Sequence, residues 1–160
     1  MHRYFIELAY NGNGYNGWQI QPNAPSVQED INKALSLLLK QDINVTGAGR
    51  TDTGVNASFF VAHFDSNAPV TDTQALTDKL NRFLGKHISI KEIYPVLPEA
   101  HARFSALSRT YKYYINKTKN PLRGLHQLLE VAHGRKDQYL PDHGSRVGRN
   151  RRATRLHDQG

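Results

Sequence analysis

The chain of 160 residues contains no cysteine. That excludes disulfides, thiol nucleophiles and thiolate metal sites, and it suits a reducing compartment, so the cytoplasm is the expected location. No apolar run approaches the roughly 20 residues of a membrane span, and Met1-His2-Arg3-Tyr4 leads straight into a strand pattern, so neither a membrane segment nor a signal peptide is expected. Acidic residues are few, 14 against 21 basic ones, which leaves a formal charge of +7 and a pI near 9.7. Such an excess suits a polyanionic partner, usually nucleic acid. There is no G-x-x-x-x-G-K-[ST], which argues against a nucleotide-cradling loop, and no H-E-x-x-H or dense acidic cluster, which argues against a metal-dependent hydrolase. The length suits one domain with a real core.

What is present is concentrated in Gly47-Ala48-Gly49-Arg50-Thr51-Asp52-Thr53-Gly54-Val55. This segment sets one carboxylate, Asp52, two residues from one guanidinium, Arg50, in a glycine-punctuated turn between two strand-like runs. Gly47, Gly49 and Gly54 allow tight or left-handed backbone and close approach of a ligand. Arg50 would favour ionised Asp52 and could contact phosphate. The plain alternative is an aspartate that only caps its own turn.

Arg3 to Tyr10 alternates like a half-buried strand, with Tyr4, Ile6, Leu8 and Tyr10 on one face. The following loop, Asn11 to Trp18, carries Tyr15 and Trp18, either as exposed stacking surfaces for bases or as anchors on the core. Ser26-Val27-Gln28-Glu29 is a capping box, and Val27, Ile31, Ala34, Leu35 and Leu38 continue at helical spacing to Lys40. Short strands are expected at Ile43 to Val45 and Ala57 to Phe64, the latter covered on both faces. An amphipathic helix over Asp72 to Leu84 and a strand over Ile88 to Val96 follow. Strand, helix, strand, strand, helix, strand predicts an α+β, ferredoxin-like antiparallel sheet with two helices on one face. Beyond it, Arg109-Thr110-Tyr111-Lys112-Tyr113-Tyr114-Ile115 puts Tyr111, Tyr113 and Ile115 on one strand face. Arg109 and Lys112 interleave with the tyrosines, a pattern suited to base stacking and phosphate contact or simply to sheet packing.

The character changes after Leu122: the first part holds 8 lysines and 5 arginines, the last 38 residues 1 lysine and 7 arginines, with four of the eight histidines. Only Leu125, Leu128, Leu129 and Val131 keep an apolar rhythm. The expectation is a domain over 1–121 and a basic tail over 122–160 that is disordered. The tail reads either as an RNA-binding arm or as an out-of-frame end.

Four features stand in order: Tyr10 through Gly17-Trp18-Gln19, Ser26-Val27-Gln28, Gly47 to Val55, and His101-Ala102-Arg103-Phe104-Ser105-Ala106 through Arg109, Tyr111 and Tyr113. Together, over about residues 3–121, they resemble the N-terminal half of the tRNA pseudouridine synthase A family. The resemblance implies isomerisation of uridine to pseudouridine at positions 38 to 40 of the tRNA anticodon stem-loop, without cofactor or metal. By motif, Asp52 resembles the nucleophile, Tyr111 the tyrosine that stacks on the target uracil, and Arg50 the arginine that helps hold the opened RNA. Arg103, Arg109, Tyr113 and Trp18 are further expected RNA contacts. The family is homodimeric, and its members carry a second half that completes the cleft; nothing after Leu122 resembles it, so the chain reads as truncated. Asn56 stands where the family more often has histidine, and Asn11 where it more often has aspartate. A different class of reading is a non-catalytic RNA-binding module built on the sheet, Tyr111 and the basic tail; a carboxylate-dependent nuclease or glycosidase ranks behind both, for want of a second acidic group.

Overall fold

The computed structural model describes residues 1–115, 117–119, 121 and 126–133. The elements run β1 (His2–Tyr10), α1 (Val27–Leu39), β2 (Thr46–Gly47), β3 (Asn56–Ser66), α2 (Thr73–Phe83), β4 (Ile88–Pro95), β5 (Ala106–Tyr114) and β6 (His126–His133). The helices begin where their caps stand. Ser26 Oγ accepts the Glu29 N–H, and Asp72 Oδ1 accepts that of Ala75, each meeting one of the donors a helix start leaves open. At the other end of α1, Lys40 turns left-handed at φ 54° and stops the helix.

The sheet order is β4-β1-β3-β6-β5, with β2 paired to β3. β1 is antiparallel to both β3 and β4, and β2 to β3, which reproduces the expected ferredoxin-like order β4-β1-β3-β2. The helices and the inward residues of the strands share one core: Ile6 and Leu8 of β1, Phe60, Ala62 and Phe64 of β3, Ile31 and Leu35 of α1, Leu76 and Leu80 of α2. Phe5 and Val61 emerge on the opposite face, where Val96, Ala100 and Ala102 cover them. β3 is therefore buried on both faces, as its apolar run predicts.

The expectations for the sheet and for the late segment need correction. The sheet is mixed rather than antiparallel, because β6 runs parallel to β3 while pairing antiparallel with β5. Nor is the whole of the late segment without structure: His126–His133 is a strand whose Leu129 and Val131 join the main core. Glu130 accepts from Lys112 on β5 and Ser58 on β3, and these bonds, that of Lys112 first, hold its carboxyl below the usual carboxylate range. An apolar rhythm that cannot close a core alone is ordered here by two neighbouring strands. The remainder of the expected tail lies outside the described residues.

Candidate active site

The loop from Ala48 to Val55 leaves the short β2 and returns into β3. It is gripped from beside by the loop that leaves β1. Gly12 N–H donates to Asn56 Oδ1 at 2.8 Å, Trp18 N–H to Thr51 Oγ1 at 3.1 Å, and the Tyr10 and Thr51 hydroxyls stand 3.0 Å apart. Gly17, at φ +84°, brings its backbone so close that a Cβ would sit 2.0 Å from the Thr51 carbonyl oxygen, so only glycine fits. Of the loop's own glycines, only Gly54 takes a positive φ. Gly47 is needed for another reason: a side chain there would strike the Trp18 indole.

Trp18 is 2 % exposed and packs 4.5 Å from the Phe60 ring, so it anchors the loop on the core and is not a surface for bases. Tyr15 is half-buried and donates to Asp30 at 2.6 Å; burial first, then that carboxylate, push its phenol above the usual range.

Arg50 and Asp52 are both exposed, and Thr51 between them is buried. No ion pair joins Arg50 to Asp52, and among the described residues no hydrogen bond engages the Asp52 carboxylate.

Arg50 lines an open cleft of about 490 Å³, with Ala48, Gly49, Arg103, Phe104, Arg109 and Tyr111. Tyr111 is 45 % exposed and Tyr113, farther along the same strand, 60 %. Three guanidinium-bearing residues and an open phenol thus share one depression, next to the turn that carries Asp52. Asp52 itself is not among the lining residues. The cleft can take an anionic backbone and present an aromatic face to a flat ring.

Arg109 proves to be partly structural. Its Nε donates to the Ala48 carbonyl at 2.9 Å and its Nη2 to the Arg103 carbonyl at 2.6 Å, joining β5, the Asp52 loop and the turn from His101 to Ser105. That turn closes on itself: His101 Nδ1 accepts the N–H groups of Arg103 and Phe104, and Ser105 Oγ accepts that of His101. His63, from β3, accepts the Ala102 N–H at 3.1 Å. Burial, then the Arg3 guanidinium, then His101 lower the His63 imidazole to about 4, which keeps it the neutral acceptor this bond requires. Burial chiefly, with Arg3 and Arg103, lowers His101 as well. Phe104, 78 % exposed and stacked on His101, lines the cleft although sequence reasoning assigned it no role. The available signal was an apolar ring inside an otherwise polar turn.

The fold and the cleft define an α+β domain that presents the Asp52 carboxylate, unpaired among the described residues, beside a basic, aromatic-lined depression. No family model matches the chain. Among curated proteins, it is 51 % identical over 137 residues to the tRNA pseudouridine synthase A of Parabacteroides distasonis, covering 86 % of this chain and 54 % of that protein. It is 58 % identical over 121 residues to that of Bacteroides thetaiotaomicron, covering 76 % and 45 %. To that of Pseudoalteromonas translucida it is 43 % identical over 122 residues, covering 76 % and 45 %. The chain belongs to the tRNA pseudouridine synthase A family, and it spans about half the length of the curated relatives it matches. Among the described residues no helix is long and apolar enough to cross a membrane, and no group of three or more histidine or acidic side chains is placed to hold a metal ion.

Proposed function

We propose that this chain is the nucleophile-bearing half of a tRNA pseudouridine synthase, an isomerase acting on uridine at positions 38 to 40 of the anticodon stem-loop. The carrying observation is the exposed Asp52, held on a doubly braced loop two residues from an arginine that lines a basic cleft. The target base leaves the stack and Asp52 attacks the ribose or the uracil ring. The nitrogen–carbon glycosidic bond then breaks, the base rejoins the ribose through carbon as the bond to Asp52 breaks and frees its carboxylate, and a proton moves from that carbon to the freed nitrogen. Tyr111 offers its ring to the uracil. Arg50 and Arg103 meet phosphates, and Arg109 adds charge while bracing the cleft. Tyr113 extends the aromatic row. The chemistry takes place in cytoplasmic RNA metabolism, and the complete enzyme is a dimer of chains carrying a second half; the N-terminal domain is built on residues 1–121 together with the strand His126–His133.

The test is pseudouridine formation in an anticodon stem-loop RNA by the chain and by Asp52→Ala. Loss of at least about a thousandfold in rate, with RNA affinity changed less than a few-fold, supports the nucleophile. Undiminished turnover in Asp52→Ala removes it. The exposed tyrosines of β5 favour one other reading, an RNA-binding module; it is supported if the wild-type chain binds the stem-loop without isomerising it.

A further inference from the structure

Within Arg50-Thr51-Asp52 the exposure pattern is out, in, out, and the inward residue carries the hydrogen bonds. Thr51 Oγ1 accepts the Trp18 N–H and pairs with the Tyr10 hydroxyl, so both its acceptor and its donor capacity can be used. Tyr10 is the last residue of β1; its ring is packed against Trp18 and Phe60, and burial pushes its phenol above the usual range. The hydroxyl pair therefore roots the loop in the buried core. From the other side the Gly17 backbone bears on the Thr51 carbonyl, which leaves the peptide little room to rotate.

We infer that Tyr10 and Thr51 are positioning residues for the proposed nucleophile: their buried hydroxyl pair aims Arg50 and Asp52 outward and holds the carboxylate in one place. The inference rests on the reading of Asp52 as nucleophile, but the anchor itself does not. An exposed carboxylate without a partner gains nothing from its own contacts, so its placement has to come from the neighbouring residue. Misplacement by about 1 Å costs on the order of a hundredfold in rate.

The test compares Tyr10→Phe, Thr51→Val and Thr51→Ser in the full chain, with two readouts. Amide hydrogen exchange is followed at Trp18 and Val55 in the loops and at Ile6 and Ala62 in the sheet, and kcat and KM are measured on a uridine-bearing anticodon stem-loop. Thr51→Val keeps the shape and removes the hydroxyl, leaving the Tyr10 hydroxyl and the Trp18 N–H unpaired. Its loop amides are expected to exchange at least about tenfold faster with the sheet amides unchanged, and kcat to fall at least about tenfold with KM within twofold. Tyr10→Phe moves the same way by less, and Thr51→Ser restores both readouts. Wild-type kcat in Thr51→Val overturns the inference, as does a loss that Thr51→Ser fails to rescue, or one that accompanies equal loosening of the sheet. Full turnover in Asp52→Ala would remove the nucleophile while the exchange data still judged the anchor. With a wild-type chain that turns nothing over, unchanged loop exchange in Thr51→Val overturns the anchor by itself.

Discussion

At the scale of single residues, side chains that read as RNA contacts turn out to hold the protein together. Arg109 bridges two carbonyls from separate loops, a task that needs the planar fork of a guanidinium. Arg109→Lys keeps the charge and loses the bridge; an expected loss of about 1–2 kcal/mol in urea unfolding checks this, and unchanged stability would show the bridge to be idle. His63 makes a pH prediction. Its folded value, about 4, lies below the ordinary 6.5, so the unfolded chain binds the proton first. Its contribution is complete above about pH 6.5 and is lost as the pH falls toward 4. Arg3 and His101 face the ring with like charge, and Asp65 opposes them. Allowing for screening, the loss is on the order of 2 kcal/mol. Melting temperature should be flat above neutrality and drop on acidification, and His63→Asn should flatten part of that drop; an unaltered acid limb would assign it to other groups.

Among the elements, the instructive departure is at Ile43 to Val45, whose apolar residues predict a strand. The strand forms later, at Thr46–Gly47. Helix α1 supplies the cause: Gln28, Asn32 and Ser36, spaced four apart on one face, hydrogen-bond the carbonyl of Val45, the N–H of Val45 and the N–H of Ile43. Side chains take the place of a β-ladder, which alternation of apolar residues cannot reveal. Asn32→Ala leaves the N–H of buried Val45 without its partner, and should destabilise the chain by about 1–2 kcal/mol despite the better helix propensity of alanine. A chemical denaturation midpoint equal to wild type would count against the ladder. The helices themselves were legible nearly to the residue, because Ser26, Asp72 and the apolar spacing are local signals.

Over the whole molecule, the sheet ends in β5, and among the described residues no strand pairs with its outer edge. Leu107, Tyr111, Tyr113 and Ile115 are exposed along and beside it. A long apolar edge of this kind promotes association. Tyr113→Lys with Ile115→Lys should lower self-association of the chain, measured by sedimentation at several concentrations; equal sedimentation of the two proteins would place any association elsewhere. Those residues belong to a chain that spans about half the length of the curated relatives it matches.

Features that depend on near neighbours were readable along the chain: the helix caps, the apolar alternation of β1 and β3, and the glycine-punctuated Asp52 loop with its kinship to a family. Tertiary structure alone decided what depends on distant partners. It buried Trp18 under Gly47 and turned Arg109 onto Ala48 and Arg103. It recruited His126–His133 between β3 and β5, and it set Thr51 under Asp52 with Tyr10 as its hydroxyl partner. Each of these joins residues far apart in the chain. Local pattern carries propensity, whereas the burial of a ring or the satisfaction of a buried hydroxyl depends on which distant surface the fold brings against it.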